Sequence, residues 1–332
     1  MNLRRVLFML AVIIISAMMT ISCAQESKEP NEVDGLNQRD YTETYLFGYI
    51  DRDGSIVIEP QYPEAHEFSE GLALVACGGL VYIDHSGEVA IELDVISAEP
   101  FSEGLAAVLS ENDGLKWGYI DKNGNYIIEP MFGRAQSFSE GLARIWLVGS
   151  AESPQGFIDK TGEFVILPEL EGTETDGGFY DGRSLIAKKT YYEGVLRIEY
   201  GFIDKDNVVV VEPQYYSADR FSEGLASVMI DGKWGYIDVN GNTVIEPRFD
   251  DASIFSEGLA AIELDGKWGY ISSIGEMVIQ PQYDAAGIFS EGLAAVRLDG
   301  KWGYIDRDGN IVIDHQYEEA GYFSEGLAPV RF

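Results

Sequence analysis

Residues 292–325 read GLAAVRLDGKWGYIDRDGNIVIDHQYEEAGYFSE, and this stretch decides the fold class of the chain. Residues 293–298 are apolar, 299–300 form an Asp-Gly hairpin-turn dipeptide, and 301–306 alternate between two faces. A second turn at 306–309 leads into a short β-branched run and then a Gln-Tyr segment. The unit predicts a three-stranded β-meander, with room for a fourth short strand near the Gln-Tyr segment.

The same unit recurs along the chain at a period close to 34 residues. The phrase Phe-Ser-Glu-Gly-Leu-Ala starts at Phe68, Phe101, Phe138, Phe221, Phe255, Phe289 and Phe323. The widest gap contains a decayed copy, FYDG at 179–182, which brings the count to eight. Such a fixed period is the signature of a repeat protein. With no stretch of helical periodicity, the predicted fold class is all-β, built from about eight β-meander units.

A proline follows the third predicted strand in most copies, at Pro60, Pro130, Pro168, Pro213, Pro247 and Pro281. Because proline has no backbone N–H, we expect it to end strand pairing at these positions.

The two ends of the array are complementary. The chain enters the first unit halfway, at about residue 45, and stops halfway through the last, at Phe332. The two halves can share one unit, as in a closed ring that leaves no exposed sheet edge. An open β-solenoid, the alternative, needs polar caps at both ends, and the final segment LAPVRF is not polar. The sequence therefore favours a closed β-propeller.

The composition excludes one class of function. The 332 residues include 56 acidic and 23 basic side chains, a formal net charge of −33. Such an acidic chain repels phosphate backbones, so we expect no nucleic-acid partner. The length alone would fit two domains, but the repeat predicts one array over residues 45–332, with an irregular insertion at about 170–200.

The N-terminus predicts export. Arg4 and Arg5 precede an apolar run at 6–21, and Cys23 follows a small residue. This segment resembles a bacterial lipoprotein signal, which implies a signal peptide at 1–22 and a lipidated Cys23. Residues 24–44 are polar and predict a flexible tether to the lipid. The expected location is the bacterial cell envelope, with the membrane contacted through the lipid only; the alternative is a secreted protein.

Lys-Trp-Gly-Tyr-Ile-Asp at 116–121, 233–238 and 301–306, together with Gly-Asn-x-x-Ile-Glu-Pro and Phe-Ser-Glu-Gly-Leu-Ala, resembles the WG-repeat (KWG) family of bacterial proteins. The resemblance covers about residues 45–332. It implies a repeat-built β architecture and an interaction role, with no shared enzymatic activity.

Two repeated side chains are candidate binding groups. In a ring, the Glu of each Phe-Ser-Glu-Gly phrase would share one level and attract cations, or its carboxylate would accept local backbone N–H groups: Glu70, Glu103, Glu140, Glu223, Glu257, Glu291 and Glu325. The motif tryptophans could stack on sugars, although their place within a strand favours a structural role: Trp117, Trp234, Trp268 and Trp302.

Metal and catalytic motifs are lacking in the sequence. The DxxG turns could suggest calcium, but none continues to the distal Glu of an EF-hand loop, and Asp favours such turns by itself. The three histidines are in unrelated contexts. We therefore expect no cofactor, no metal and no enzyme. The expected function is an envelope-anchored binding or scaffold protein for a protein or glycan; the alternatives are a glycan-active enzyme and a purely structural envelope component.

Overall fold

The computed structural model describes residues 45–149, 155–166, 173–192 and 194–332. These residues form eight antiparallel sheets, seven with four strands and one with three, arranged as the blades of a β-propeller. The prediction of an all-β fold with eight repeat units is confirmed. The residues predicted as signal peptide and tether, including Cys23, lie outside the described residues. None of the described segments is a helix that could cross a membrane.

Each blade runs from an inner strand beside the central axis to an outer strand at the rim. In that order, blade 1 comprises Glu319–Ala320, Ala328–Arg331, Phe47–Ile50 and Ile56–Tyr62; blade 2, Ala73–Ala76, Leu80–Ile83 and Val89–Glu92; blade 3, Ser97–Ala98, Ala106–Ser110, Lys116–Ile120 and Tyr126–Phe132; blade 4, Arg134–Ala135, Ala143–Trp146, Gln155–Ile158 and Phe164–Ile166; blade 5, Thr173–Tyr180, Arg183–Tyr192, Val195–Asp204 and Val209–Tyr215; blade 6, Ser217–Ala218, Leu225–Ile230, Lys233–Asp238 and Thr243–Phe249; blade 7, Asp251–Ala252, Leu259–Leu264, Lys267–Ser272 and Met277–Tyr283; blade 8, Ala285–Ser290, Leu293–Leu298, Lys301–Asp306 and Ile311–Tyr317.

Blade 1 closes the ring by combining the two ends of the array. The C-terminal strand Ala328–Arg331 pairs with Phe47–Ile50 along its full length. The Arg331 guanidinium lies 4.5 Å from the centroid of the Phe47 ring and 2.7 Å from Glu319 Oε1. The closed propeller is confirmed, and the open solenoid is wrong because strand pairing joins the first and last units.

The outer strands correct one expectation. In the five blades whose proline lies among the described residues, the strand continues through the proline instead of ending there, as in Ile56–Tyr62, which contains Pro60. Between Phe47 and Tyr49 the register advances from Tyr62 to Ile58, so the outer strand bulges around Gly48. The missing N–H is tolerated because the bulge interrupts the ladder on the outermost strand of the sheet.

The bulge explains the glycine of each Trp-Gly phrase. A Cβ built on Gly235 would lie 2.5 Å from the carbonyl oxygen of Ile245, and a Cβ built on Gly48 would lie 2.6 Å from the carbonyl oxygen of Ile58. The backbone of the outer strand therefore occupies the space of a side chain, and only glycine fits.

Eight aromatic pairs form the core between blades. The aromatic residue of each Gly-aromatic-Ile-Asp phrase packs on the Phe that starts the turn of the next blade. Ring centroids are 4.6–5.0 Å apart in the pairs Tyr49–Phe68, Tyr82–Phe101, Tyr119–Phe138, Phe157–Phe179, Phe202–Phe221, Tyr236–Phe255, Tyr270–Phe289 and Tyr304–Phe323. Such tilted pairs contribute about 1 kcal/mol each beyond the burial of their surface.

Candidate functional site

Eight turns, which we call the turn ring, link the inner strand of each blade to the second strand. They begin at Phe68, Phe101, Phe138, Phe179, Phe221, Phe255, Phe289 and Phe323. The Glu in seven of them has a positive φ of 52–56°, and Asp181 takes this place in blade 5 with φ 50°. This left-handed conformation is unfavourable for residues other than glycine, so it needs compensating contacts.

The carboxylates of the turn ring supply those contacts across blades. Glu70 accepts the backbone N–H of Gly104 in the next blade, at 3.0 Å from Oε2, and Asp181 accepts that of Gly224 at 2.7 Å. The same bond is made by Glu103, Glu140, Glu223, Glu257 and Glu291 to Gly141, Gly182, Gly258, Gly292 and Gly326. The sequence suggested backbone N–H groups of the same turn, whereas the structure pairs each carboxylate with the neighbouring blade.

The turn ring is continuous through the closure of the propeller. Glu325 accepts the N–H of Gly71 at 2.9 Å, and the Ser324 hydroxyl donates to the carbonyl of Phe68 at 2.6 Å. Basic side chains from the turns after the third strands lie beside several of these carboxylates: Lys122 Nζ at 3.1 Å from Glu70, Lys160 Nζ at 3.1 Å from Glu103 and Lys205 Nζ at 3.0 Å from Glu140. The imidazole Nε2 of His85 lies 3.1 Å from Glu325 Oε2. The Glu side chains predicted as a cation-attracting circle are thus occupied in joining blades.

The four motif tryptophans lie at the start of the third strands. Trp234 is buried within the core cluster of blades 6 and 7, and Trp117, Trp268 and Trp302 are partly buried against the neighbouring cores. Their rings therefore pack against the core, with only part of each surface open to a ligand.

The aspartates of the DxxG turns bind their own backbone. Asp238 Oδ1 accepts the N–H groups of Asn240 and Asn242 at 2.9 Å each. Hydrogen bonds from the Asn242 side chain, and from these N–H groups, hold the pKa of Asp238 below its usual value. Among the described residues, no group of three or more His, Cys, Asp or Glu side chains is arranged to hold a metal ion.

The innermost segments of the blades surround a central channel, and six of the eight accept the same hydrogen bond from a tyrosine hydroxyl. The Tyr119 hydroxyl donates to the carbonyl of Gln136 at 2.8 Å, and Tyr49, Tyr82, Tyr236, Tyr270 and Tyr304 bind the equivalent carbonyls of His66, Glu99, Ser253, Gly287 and Gly321. These carbonyls belong to the residue two places before the Phe of each turn. An alanine stands three places before that Phe in seven blades: Ala65, Ala98, Ala135, Ala218, Ala252, Ala286 and Ala320.

The two side chains directly before each Phe differ from blade to blade. Along the ring they are His66-Glu67, Glu99-Pro100, Gln136-Ser137, Gly177-Gly178, Asp219-Arg220, Ser253-Ile254, Gly287-Ile288 and Gly321-Tyr322. Members of this set line a channel cavity of about 700 Å³ between blades 3 and 7. The repeated scaffold thus presents a non-repeating wall. The repeated phrases alone do not predict this wall, although its variability at fixed offsets is visible in the sequence.

Some polar side chains of the channel have partners within the described part of the protein, and others do not. The Arg220 guanidinium lies 4.4 Å from the centroid of the Tyr180 ring. Asp219 Oδ2 accepts the Ser227 hydroxyl at 2.8 Å, and burial raises the pKa of this carboxyl. Gln136 Oε1 is a buried acceptor without a hydrogen-bond partner among the described residues.

Blade 5 carries a ribbon beyond the normal blade height. Its second and third strands are ten residues long, compared with six in blade 6. The stretch predicted as an irregular insertion thus includes regular strands of a four-stranded blade. We call residues 189–192 and 195–198 the ribbon; its four cross-strand pairs have no equivalent in blade 6. The side chains of Tyr191 and Val195 are 75% and 69% exposed.

An all-β ring of eight blades with an asymmetric channel and a projecting ribbon is a repeat propeller, a class consistent with a binding or scaffold role. The family model for the "WG containing repeat" matches residues 47–80, 82–112, 117–145, 156–189, 200–234, 234–268, 268–302 and 302–332. The chain therefore belongs to the WG-containing repeat family. A comparison with curated proteins returns no match.

Proposed function

We propose that the protein is a non-catalytic binding module of the bacterial cell envelope, which docks a protein partner on the ribbon of blade 5. The observation that carries this proposal is the exposure of apolar side chains at the end of the ribbon. Tyr191 and Leu196 form a cross-strand pair and lie on the same side, with 75% and 46% of their surfaces exposed.

The position of the ribbon supports docking over a structural role. Among the described residues, no third strand lies beside the two strands beyond the pair of Lys188 and Glu199, since the pairing with the inner strand is described from Thr173 and the outer strand ends its pairing at Tyr200. A two-stranded ribbon gains little stability from its own packing. Large apolar side chains held there gain most from burial against a partner, and tyrosine is enriched in the energetically dominant parts of protein interfaces.

The charge of the ribbon indicates the chemistry of the partner. The ribbon and its base contain Lys188, Lys189 and Arg197, in a chain of net charge −33 with 23 basic residues, and Arg197 forms an ion pair with Glu199 at 3.0 Å. A groove of about 380 Å³ separates Arg197 from blade 6 and is bordered by Tyr216, whose surface is 75% exposed. The partner we propose is a protein that offers an apolar patch with acidic residues at its edge.

The test is a ribbon-trimmed variant that preserves the blade. Residues 189–198 are replaced by Asp-Gly, so that Lys188 and Glu199 border a two-residue turn as Ile230 and Lys233 do in blade 6. Deletion of 170–200 is unsuitable because it removes strands of the blade itself. We expect capture from solubilised envelope to recover one partner with the parent protein and to lose it with the trimmed variant.

A matched point variant separates the surface from the backbone. Tyr191→Ser and Leu196→Ser remove the apolar pair and leave the ribbon length unchanged, and Val244→Ser changes an exposed apolar residue on the outer strand of blade 6. Binding of the captured protein should fall at least about tenfold for the ribbon pair, as expected for interface anchors. An unchanged capture profile, or capture of a glycan in place of a protein, contradicts the proposal.

The envelope location rests on the lipoprotein-like signal and is tested separately. Metabolic labelling with palmitate in a bacterial host should label the full chain, and Cys23→Ser should abolish both labelling and membrane association. Absence of label, or an intact mass that shows a disulfide between Cys23 and Cys77 in place of lipid, contradicts lipid anchoring. Neither outcome bears on the ribbon.

A further inference from the structure

The third strand of blade 5, Val195–Asp204, directs part of its backbone to an open edge in the ribbon. Its ladder with the second strand is regular along its full length, so successive residues point their N–H and C=O groups alternately to the two sides. The Asp204 N–H donates to the carbonyl of Val208 at 3.0 Å, which places the backbone groups of Asp204 on the side of the outer strand. By the same alternation, Leu196 and Ile198 point their backbone groups to that side.

Within the described part of the chain, no strand pairs with this edge. The outer strand ends its pairing with the third strand at Tyr215 and Tyr200, and the chain then crosses to the inner strand of blade 6. In blade 6 the corresponding hairpin closes at the pair of Ile230 and Lys233, directly beyond the last pair of its outer strand, so no comparable edge extends there. An exposed edge with unpaired N–H and C=O groups is a template for a further strand.

A groove runs beside this edge, in the position that a longer outer strand would take. Its volume is about 380 Å³, and residues 197–199 form one wall. Tyr216 and residues 229–232 of blade 6 form the other wall, and Gln214 at the end of the outer strand also borders it. Met229 and Ile230 are half-buried, so they supply apolar surface opposite the strand edge. The groove therefore combines open main-chain groups with an apolar wall.

The charges favour another protein over a second copy of this chain. Each copy has a net charge of −33, so two copies repel each other. Inside the groove the charged side chains are Arg197, Glu199 and Asp231, and the first two form an ion pair at 3.0 Å. The apolar wall and this ion pair suit an uncharged segment.

We propose that the protein partner adds one extended segment of its own chain to the ribbon as a strand, paired with Leu196 and Ile198. Alternate apolar side chains of this segment pack on Met229 and Ile230. In such strand addition, main-chain hydrogen bonds provide affinity and alternate side chains provide specificity. This inference rests on the proposed docking at the ribbon and specifies which part of the partner is recognised.

The test removes one N–H group from the edge. Ile198→Pro deletes the N–H that points away from the ladder, and proline is tolerated at such an edge position. Ile198→Ala is the matched control, because it shortens the same side chain and keeps the N–H. Both full-length variants are titrated with the purified envelope protein that the parent captures and the ribbon-trimmed variant does not. Ile198→Pro should bind at least about tenfold more weakly than Ile198→Ala, since a hydrogen bond is lost and the proline ring obstructs the added strand.

Hydrogen exchange on the parent gives a second measurement that needs no variant. In the free protein the amides of Leu196 and Ile198 should exchange rapidly, whereas the Arg197 amide, which points to the second strand, should exchange more slowly. Binding of the captured protein should slow exchange at Leu196 and Ile198 by about tenfold or more, as expected for amides that enter a ladder. Thermal unfolding verifies the fold of the proline and alanine variants.

Three results would overturn strand addition: equal binding by folded Ile198→Pro and Ile198→Ala, unprotected Leu196 and Ile198 amides in the complex, or a dimer of the parent alone that Ile198→Pro abolishes. In the first two cases, loss of binding in the variant with Tyr191→Ser and Leu196→Ser would show that the partner docks on side chains, and the proposed function would stand. Capture that no ribbon variant reduces contradicts the proposed function as well.

Discussion

At the scale of single residues, the fold of each blade depends on a position in the third strand that only glycine can occupy. The glycine in the third strand of each blade lies under the bulged outer strand, and a Cβ at Gly235 would come within 2.7 Å of Pro247 N as well as 2.5 Å of Ile245 O. Both atoms belong to backbone that is held by strand pairing on either side of the bulge. The contact cannot be relieved by rotating a side chain.

Gly235→Ala should therefore lower the free energy of unfolding by about 3 kcal/mol, the upper range for overpacking. Gly79→Ala is the matched control, because its Cβ would meet no atom within 4 Å and its φ is not positive. The control should stay within about 0.5 kcal/mol of the parent in chemical denaturation. Equal stability of the two variants would show that the outer strand moves aside.

At the scale of elements, aspartate carboxylates stabilise the DxxG turns. Asp121, Asp159, Asp238 and Asp306 stand at equivalent positions of four DxxG turns, and each accepts backbone N–H groups of its own turn. Side-chain hydrogen bonds from Thr161, Asn242 and Asn310 are the main cause of the lowered pKa of Asp159, Asp238 and Asp306, and the backbone N–H of Asn125 is the main cause at Asp121. All of these bonds, with the other backbone bonds of each turn, favour the ionised carboxylate. A group with a lowered folded-state pKa stabilises the fold above its unfolded pKa, and this stabilisation disappears as the pH falls through the folded value.

We therefore expect thermal stability to decrease as the pH is lowered from about 5 to about 2, the range below the unfolded pKa of aspartate. Asp238→Asn should reduce the steepness of this decrease, because one proton-linked group is removed, and should change stability less at the acid end than near neutrality. A parent protein whose melting temperature rises over this range would contradict the assignment.

At the scale of the whole molecule, stability depends on closure. The C-terminal strand completes blade 1, and the ring of Phe323 packs on the ring of Tyr304 in blade 8. Glu325 and Ser324 join this blade to blade 2 through the turn ring. Loss of the segment exposes a strand edge and buried apolar surface on two neighbouring blades at once.

Deletion of residues 323–332 should lower the melting temperature of the whole array by about 10 °C or more, since several buried side chains are lost together. The ribbon-trimmed variant is the control, because it also removes ten native residues but leaves the ring closed. Its melting temperature should stay close to that of the parent. A deletion variant that frays only in blade 1, with protected amides elsewhere in hydrogen exchange, would contradict closure as the source of stability.

Much of the fold follows from the sequence because the repeat gives the same local instruction eight times. The strands Leu293–Leu298 and Lys301–Asp306 were predictable to the residue from alternation and the Asp-Gly turn. The outer strand was predicted too short, because a proline on a bulge is compatible with pairing and local rules cannot anticipate a bulge. The candidate site was predicted less well. Gln136 and Asp219 are far apart in sequence, and they line the same channel only because the blades are arranged in a ring.

By itself, the sequence determined an all-β array of eight units, its membership of a repeat family and the complementary ends that allow a ring. Short-range alternation, turn dipeptides and a fixed period suffice for these conclusions. Only the tertiary structure decided that Glu70 binds the N–H of Gly104 in the next blade, that Gly235 lies under a bulge, and that unlike residues converge on one channel. The first and the last of these depend on how neighbouring blades pack in the closed ring, and the second depends on the register of two strands within one blade.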